Sequence, residues 1–328
     1  MLSFINKLKN LIKLLKNCKK MHVKTGLLFY IYINPPVYFL LALFAKFLIL
    51  TKNKKIINFF LEKKIFISVI RLLSMEEKKF VSKILSSYNT FNDSDKIEST
   101  NNKLKELENN GYCSLGKIFS DDDCDKFVEN LDQKNCFNNQ TVLQSDGIKK
   151  VFELNNEKNY GKQSNYFCFL PEVVMDFQPV KNFLLSEKLK EILQGYLNFN
   201  SSIYHCITFF NPPSNHSHYV QTPHRDYDDW KHVQLTIYWN DINQKNGAMT
   251  YYKKSHKTKF DKKNKVELNG VKGEVQLIDT YGMHSANIVT EGSRYVTFIR
   301  FAKYTNKLSV VDGFLSSPKQ NNSQILNK

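Results

Sequence analysis

His224-Arg225-Asp226 sets an imidazole and a carboxylate two residues apart, a spacing that puts both side chains on one face of an extended strand. A second imidazole, His284, lies 58 residues beyond Asp226, after a predicted strand over Glu274–Ile278 and the turn Tyr281-Gly282-Met283. Two imidazoles and one carboxylate on one face of an octahedral ferrous ion leave three positions open to other ligands. Arg294, 10 residues past His284, falls on the next predicted strand. A guanidinium there can grip a carboxylate with two parallel hydrogen bonds, which an ammonium cannot. An H-x-D pair alone recurs by chance. The added histidine and arginine carry the argument.

These residues need a β framework. Beyond residue 200 the chain reads as short β-branched and aromatic runs between turn residues: Ile203–Phe210, Val233–Trp239, Ala248–Tyr252, Glu274–Ile278 and Tyr295–Phe301. Too little chain separates most of them for crossover helices, so the expectation is an antiparallel sandwich or small barrel. Helices precede it: one over Asn102–Asn109 closed by Gly111, one opened by Ser120 with Asp121-Asp122-Asp123, and one from Ser186 to Leu197. The acidic triplet reads as a charged helix start rather than a metal site. Tyr112–Leu115 reads as a short strand.

The order and spacing of several pieces resemble the phytanoyl-CoA dioxygenase family of Fe(II)/2-oxoglutarate oxygenases. They are His224 to Asp229, Leu235 to Tyr238, Asn240-Asp241-Ile242 with Asn246 to Met249, Lys254-Ser255-His256-Lys257, and His284 to Asn287 with Arg294. The resemblance covers roughly Leu104 to Tyr304 and is strongest from Gln221 to Phe301. It implies that His224, Asp226 and His284 bind Fe(II), that Arg294 holds the tail carboxylate of 2-oxoglutarate, and that O2 is the co-reactant. It also implies an α+β fold with a double-stranded β-helix (jelly-roll) core and flanking helices. Ala286 stands where a small hydroxyl residue often assists the cosubstrate, so Ser285 or Asn287 is expected in that role. The implied activity is hydroxylation of a small-molecule or lipid-like substrate; a carboxylate at Asp226, rather than a small residue, favours it over halogenation. A catalytically silent jelly-roll binding protein and a cupin-type metal-dependent isomerase or lyase are the alternatives, and the latter would leave Arg294 without a role.

Other polar residues have plainer readings beside the functional ones. His256 reads as a structural loop residue. Asn215, His216 and His218 line either the substrate entrance or a surface loop. Asp228 and Asp229 either contact substrate or hold their loop. Trp230, Trp239, Tyr238 and Phe298 read as core or barrel lining.

Of the net charge of +16, residues 1–73 account for most, with 14 basic side chains and one acid, Glu62. Residues 2–16 form a predicted basic amphipathic helix suited to an anionic membrane surface. The apolar runs Leu27–Ile33 and Val37–Leu50, the second broken by Lys46, are shorter than a spanning helix needs. The alternative is a helical hairpin packed on the enzyme body. A nucleic-acid arm is not expected, because the aromatics sit within aliphatic runs. The expected organisation is 1–73 as this basic apolar segment, 74–100 as a linker, 101–306 as the oxygenase domain and 307–328 as a polar tail. Six cysteines without a C-x-x-C pair fit a reducing, cytoplasmic compartment, peripheral on a membrane if the first segment attaches.

Overall fold

The structure, a computed structural model, describes residues 98–132, 134–138, 151–153, 166–198, 201–215 and 219–302, with short pieces at 43–44, 47–50, 53, 76–78 and 80–81. Helix α1 (Glu98–Asn110) leads into strand β1 (Tyr112–Lys117), and α2 (Asp121–Asp132) into β2 (Asn135–Asn138), β3 (Val151–Glu153) and β4 (Phe167–Phe169). Helices α3 (Pro171–Met175), α4 (Gln178–Leu184) and α5 (Glu187–Leu197) follow. Strands make up the rest: β5 (Ser202–Asn211), β6 (His232–Tyr238), β7 (Met249–Tyr252), β8 (Lys265–Leu268), β9 (Glu274–Ile278), β10 (His284–Ala286) and β11 (Arg294–Ala302).

Side-chain caps fix where α2 and α5 start. Asp123 N donates to Ser120 Oγ at 3.1 Å while Ser120 N donates back to the Asp123 carboxylate at 3.3 Å, a reciprocal capping box that satisfies two donors at the start of α2. The acidic triplet therefore complements the positive end of that helix, as its sequence suggests. Ser186 caps α5 in the same way, accepting from Leu189 N.

All ladders are antiparallel. One sheet runs β1-β9-β6-β11-β5-β4-β2-β3 and a smaller one β10-β7-β8. Alternation gives the large sheet two different faces. Ile299 and Phe301 of β11, Leu235 of β6 and Leu277 of β9 join Leu107, Phe127 and Leu193 in the core beneath the helices. The opposite face of β11 carries Val296 and Phe298, which cluster with Tyr238 and Ala248. This inner face meets the small sheet, where Tyr238 Oη donates to Leu268 O at 3.0 Å and Ile278 packs with Tyr251 and Leu268. Polar side chains share it: Arg294 and Arg300 from β11, and Gln234 and Thr236 from β6. Because β11 is hydrogen-bonded along both edges, to β5 and β6, its side chains project from a rigid strand.

The mixed α and antiparallel β organisation agrees with the sequence expectation. Glu274–Ile278 is β9 to the residue, and the other four expected strands differ from β5, β6, β7 and β11 by no more than one residue at either end. Within 74–100, expected as a linker, Lys78 and Val81 are buried and α1 already begins at Glu98. Lys78 Nζ lies over the Tyr281 ring, so this piece packs against the turn before β10. The expected amphipathic helix at 2–16 and the tail at 307–328 lie outside the described residues. Among the described residues, no helix is long and apolar enough to cross a membrane.

Candidate metal centre

His224 and Asp226 lie on an extended loop before β6, not within a strand of the sheets, while His284 opens β10. The two histidines are tied to each other through the main chain: His224 N donates to His284 O at 2.9 Å and His284 N to His224 O at 3.0 Å. Two residues on, Asp226 N donates to Thr280 O at 2.9 Å. The loop thus runs as a short extra strand beside β10, which restores the strand-like alternation that aims positions 224 and 226 the same way.

One ligand atom from each of His224, Asp226 and His284 lies within 4.8 Å of the others. His224 Nε2 is 3.9 Å from Asp226 Oδ1 and His284 Nε2 is 3.8 Å from Asp226 Oδ2, too long for hydrogen bonds. Each ring is instead held from behind. His224 Nδ1 lies 2.9 Å from Thr222 O and His284 Nδ1 2.9 Å from Gly282 O. A carbonyl only accepts, so the proton of each neutral ring sits on Nδ1 and the Nε2 lone pair faces the carboxylate. Asp226 Oδ2 is buried and takes no directed hydrogen bond, although Arg300 Nη2 stands 3.2 Å away. Two imidazole Nε2 atoms and a largely buried carboxylate, converging at distances too long for hydrogen bonds between them, are a donor set for a divalent cation.

The electrostatics agree. Burial alone would raise the Asp226 carboxyl, but the Arg300 guanidinium and the surrounding imidazoles outweigh it and hold the group well below the usual carboxylate range. Burial pulls the His284 imidazole below its ordinary value against the opposing pull of Asp226, so it stays neutral, the form that ligates metal.

Arg294 sits half-buried at the start of β11. Its Nε donates to Asn211 Oδ1 at 3.0 Å and its Nη1 to Gly247 O, while Nη2 takes no partner among the described residues. Burial brings this guanidinium down to about 10, so it remains a cation at neutral pH. Ser285 and Asn287 are not brought to the centre. Ser285 alternates away from His284 along β10, and Asn287 is engaged by Glu267 and Thr250, donating to the Glu267 carboxylate at 2.6 Å and accepting from Thr250 Oγ1 at 3.0 Å.

Asp228 accepts from Tyr204 Oη at 2.6 Å and from Arg300 Nη1 at 2.8 Å, and Asp229 accepts from Trp230 N at 2.6 Å, so both hold their loop. The His256 ring is anchored on Glu108 O, as expected of a structural residue. Trp230, Trp239 and Tyr238 are buried, and Phe298 faces inward on β11. Asn215 is exposed, and His216 and His218 lie outside the described residues. Arg300 is the residue the sequence reading passed over. Its parity with Arg294 on one strand was the available signal, but its meeting with Asp226 depends on where a loop lands.

Gly282 shows how closely the centre is packed. A Cβ there would stand 1.8 Å from Tyr251 Oη, and one on Gly111 2.1 Å from the same oxygen. Tyr251 is buried and its hydroxyl donates to Asp279 O at 3.0 Å, so it has nowhere to retreat. Gly282→Ala is expected to cost about 1–3 kcal/mol by overpacking. It should also displace the carbonyl that orients His284, weakening metal binding about 10-fold or more. Thermal unfolding and Mn(II) titration of the same variant check the two effects.

The sequence profile of the phytanoyl-CoA dioxygenase family (PhyH) matches residues 107–296. A probable α-ketoglutarate-dependent hypophosphite dioxygenase of Stutzerimonas stutzeri is 26% identical over 167 residues, 49% of this chain and 55% of the relative. The chain thus spans about half the length of that curated relative. Among solved structures, the non-haem α-ketoglutarate-dependent epimerase SnoN of nogalamycin biosynthesis aligns with a TM-score of 0.47 at 10% identity, over 68% of this chain and 90% of SnoN. HygX of Streptomyces hygroscopicus, solved with nickel and 2-oxoglutarate, aligns with a TM-score of 0.43 at 13% identity, over 61% of this chain and 86% of HygX. The family profile alone spans more than half of the chain and takes in all three converging ligands together with Arg294: the chain belongs to the phytanoyl-CoA dioxygenase family.

Proposed function

We propose that residues 101–306 form an Fe(II)- and 2-oxoglutarate-dependent oxygenase on a jelly-roll core, hydroxylating a small-molecule substrate. One observation carries the reading: the Nε2 atoms of His224 and His284 face the Asp226 carboxylate while both Nδ1 protons are committed to carbonyls. His224, Asp226 and His284 would hold the iron. Bound iron and 2-oxoglutarate supply the oxidising power, with O2 and the 2-oxo acid consumed and succinate and CO2 released.

This chain's residues do the rest. Arg294 offers Nη2 and the second Nη1 proton to the tail carboxylate of 2-oxoglutarate, with Asn211 and Gly247 fixing the plane of its fork. Ile207, Phe209 and Phe298 give the inner face an apolar wall that keeps water from the reacting centre. Asp226 stays ionised throughout. The silent-binder and isomerase readings leave Arg294 unexplained.

An anaerobic titration of 2-oxoglutarate into the Fe(II)-loaded protein tests this. A weak visible charge-transfer band should grow in, and Arg294→Ala should weaken 2-oxoglutarate binding by about 10- to 100-fold. Absence of the band from the wild type would remove the oxygenase reading. Substrate is then sought by small-molecule stimulation of succinate release, beginning with hypophosphite because the curated relative is named for it.

A further inference from the structure

Asp226 rides on a loop, and one backbone bond, to Thr280, holds it in place. A short carboxylate so placed can rotate about its side-chain torsions unless something outside the loop grips it. Arg300 is built to do so. It projects from β11 at a position paired with His205 on one side and Gln234 on the other. Its guanidinium is held along three directions: Nε donates to Gln234 Oε1 at 3.0 Å, Nη1 donates to Asp228 Oδ2 at 2.8 Å, and Nη2 lies 3.2 Å from Asp226 Oδ2. Asp228 is itself pinned by Tyr204 Oη at 2.6 Å, and burial first, then Asp228, raise the Tyr204 phenol so that it stays a neutral donor. Arg294 and Arg300 share a face of one strand six residues apart, which at about 3.4 Å per residue sets them near opposite ends of the inner face.

We propose that Arg300 is a positioning residue for the metal-binding carboxylate. It engages Asp226 Oδ2 so that Oδ1 is presented to the ion, leaving Arg294 to the cosubstrate. The inference rests on the metal-centre reading above. Two effects oppose each other, because a guanidinium beside the site repels a divalent cation while it orients and ionises the ligand. Orientation dominates in this geometry: the cation is shared between two aspartates, so its repulsion is largely neutralised, whereas the other side chain facing Oδ2, His284 with its Nε2 at 3.8 Å, stands too far away to hydrogen-bond it.

The test uses the whole 328-residue chain without cosubstrate, with Mn(II) as probe and free Mn(II) read by electron paramagnetic resonance. Arg300→Gln should weaken Mn(II) binding by about 10- to 100-fold. Arg300→Lys, which keeps the charge but not the fork, should fall between it and wild type. Added guanidinium ion should restore part of the lost affinity in Arg300→Ala, a rescue that a merely structural role would not give. Arg294→Ala should bind Mn(II) as the wild type does. Wild-type affinity in Arg300→Gln, or in Arg300→Lys should the Gln variant fail to fold, overturns this proposal alone. Failure of the wild type to bind Mn(II) overturns the metal centre and this proposal with it.

Discussion

Asp226→Ala should bind divalent metal at least about 100-fold more weakly than the wild type, since losing a ligand costs more than losing a residue that supports one. It should release no succinate from 2-oxoglutarate. The carboxylate is the sole acidic group among the three converging side chains, so its removal leaves two imidazoles near the Arg300 cation. Imidazole-only sites of this size have neither the charge nor the third donor that holds Fe(II) or Mn(II). The fold should survive. Arg300 keeps Asp228 and Gln234 as partners, and its side chain retains 18% exposure, so the stranded charge is partly solvated. Removing one member of a buried pair costs about 3–5 kcal/mol, and here the remaining partners and water reduce that. Mn(II) titration, succinate release and a chelator-treated thermal melt, run together, separate the site effect from the fold effect. Wild-type metal affinity in this variant would remove Asp226 from the centre.

The three converging side chains, His224, Asp226 and His284, were legible in the sequence because metal-binding chemistry forces residue type and near-neighbour spacing. An H-x-D pair works wherever the chain is extended, and the chain around Asp226 is extended even outside a named strand. The five main strands were legible because β-branched and aromatic runs such as Val233–Trp239 have little other use. What was not legible depended on long-range register. Strands β8 and β10 are four and three residues long, and they exist because neighbours align them, as His284-Ser285-Ala286 aligns on Met249-Thr250-Tyr251. The same limit explains Ser285 and Asn287. They were expected to stand in for the small hydroxyl residue that the family resemblance places at Ala286, yet β alternation turns Ser285 away from His284 and the Glu267 and Thr250 side chains engage Asn287. Arg300 was missed for the converse reason, since its partner Asp226 lies 74 residues earlier in the chain.

Trp239→Ala should be the most destabilising single change on the helix side of the large sheet, at about 3–5 kcal/mol. Trp239 is 1% exposed and stacks on Phe127 of α2 with ring centroids 3.8 Å apart. Phe119 and Phe177 close around it at 5.4 and 6.1 Å. Those three phenylalanines come from α2, the segment before it and the residue before α4, so the indole is where separate helical elements meet the sheet. Its Nε1 donates to Thr297 Oγ1 at 2.8 Å. Thr297 keeps a second partner in Thr208 Oγ1 at 2.6 Å, so truncation leaves a cavity rather than an orphaned hydroxyl, and the cost follows the volume lost. For a domain of this size the melting midpoint should fall by roughly 6–20 °C. Trp239→Phe, which keeps most of the ring but not the hydrogen bond, should lose much less, with about 1 kcal/mol assigned to the bond. Trp230, the other of the chain's two tryptophans, remains as the fluorescent reporter of unfolding. The folded fraction should still bind Mn(II) normally, because Thr297 faces the helices while Arg294 and Arg300 face inward from the same strand. A parallel loss of metal affinity at temperatures well below the transition would mean that the two faces of β11 are coupled more tightly than alternation alone requires.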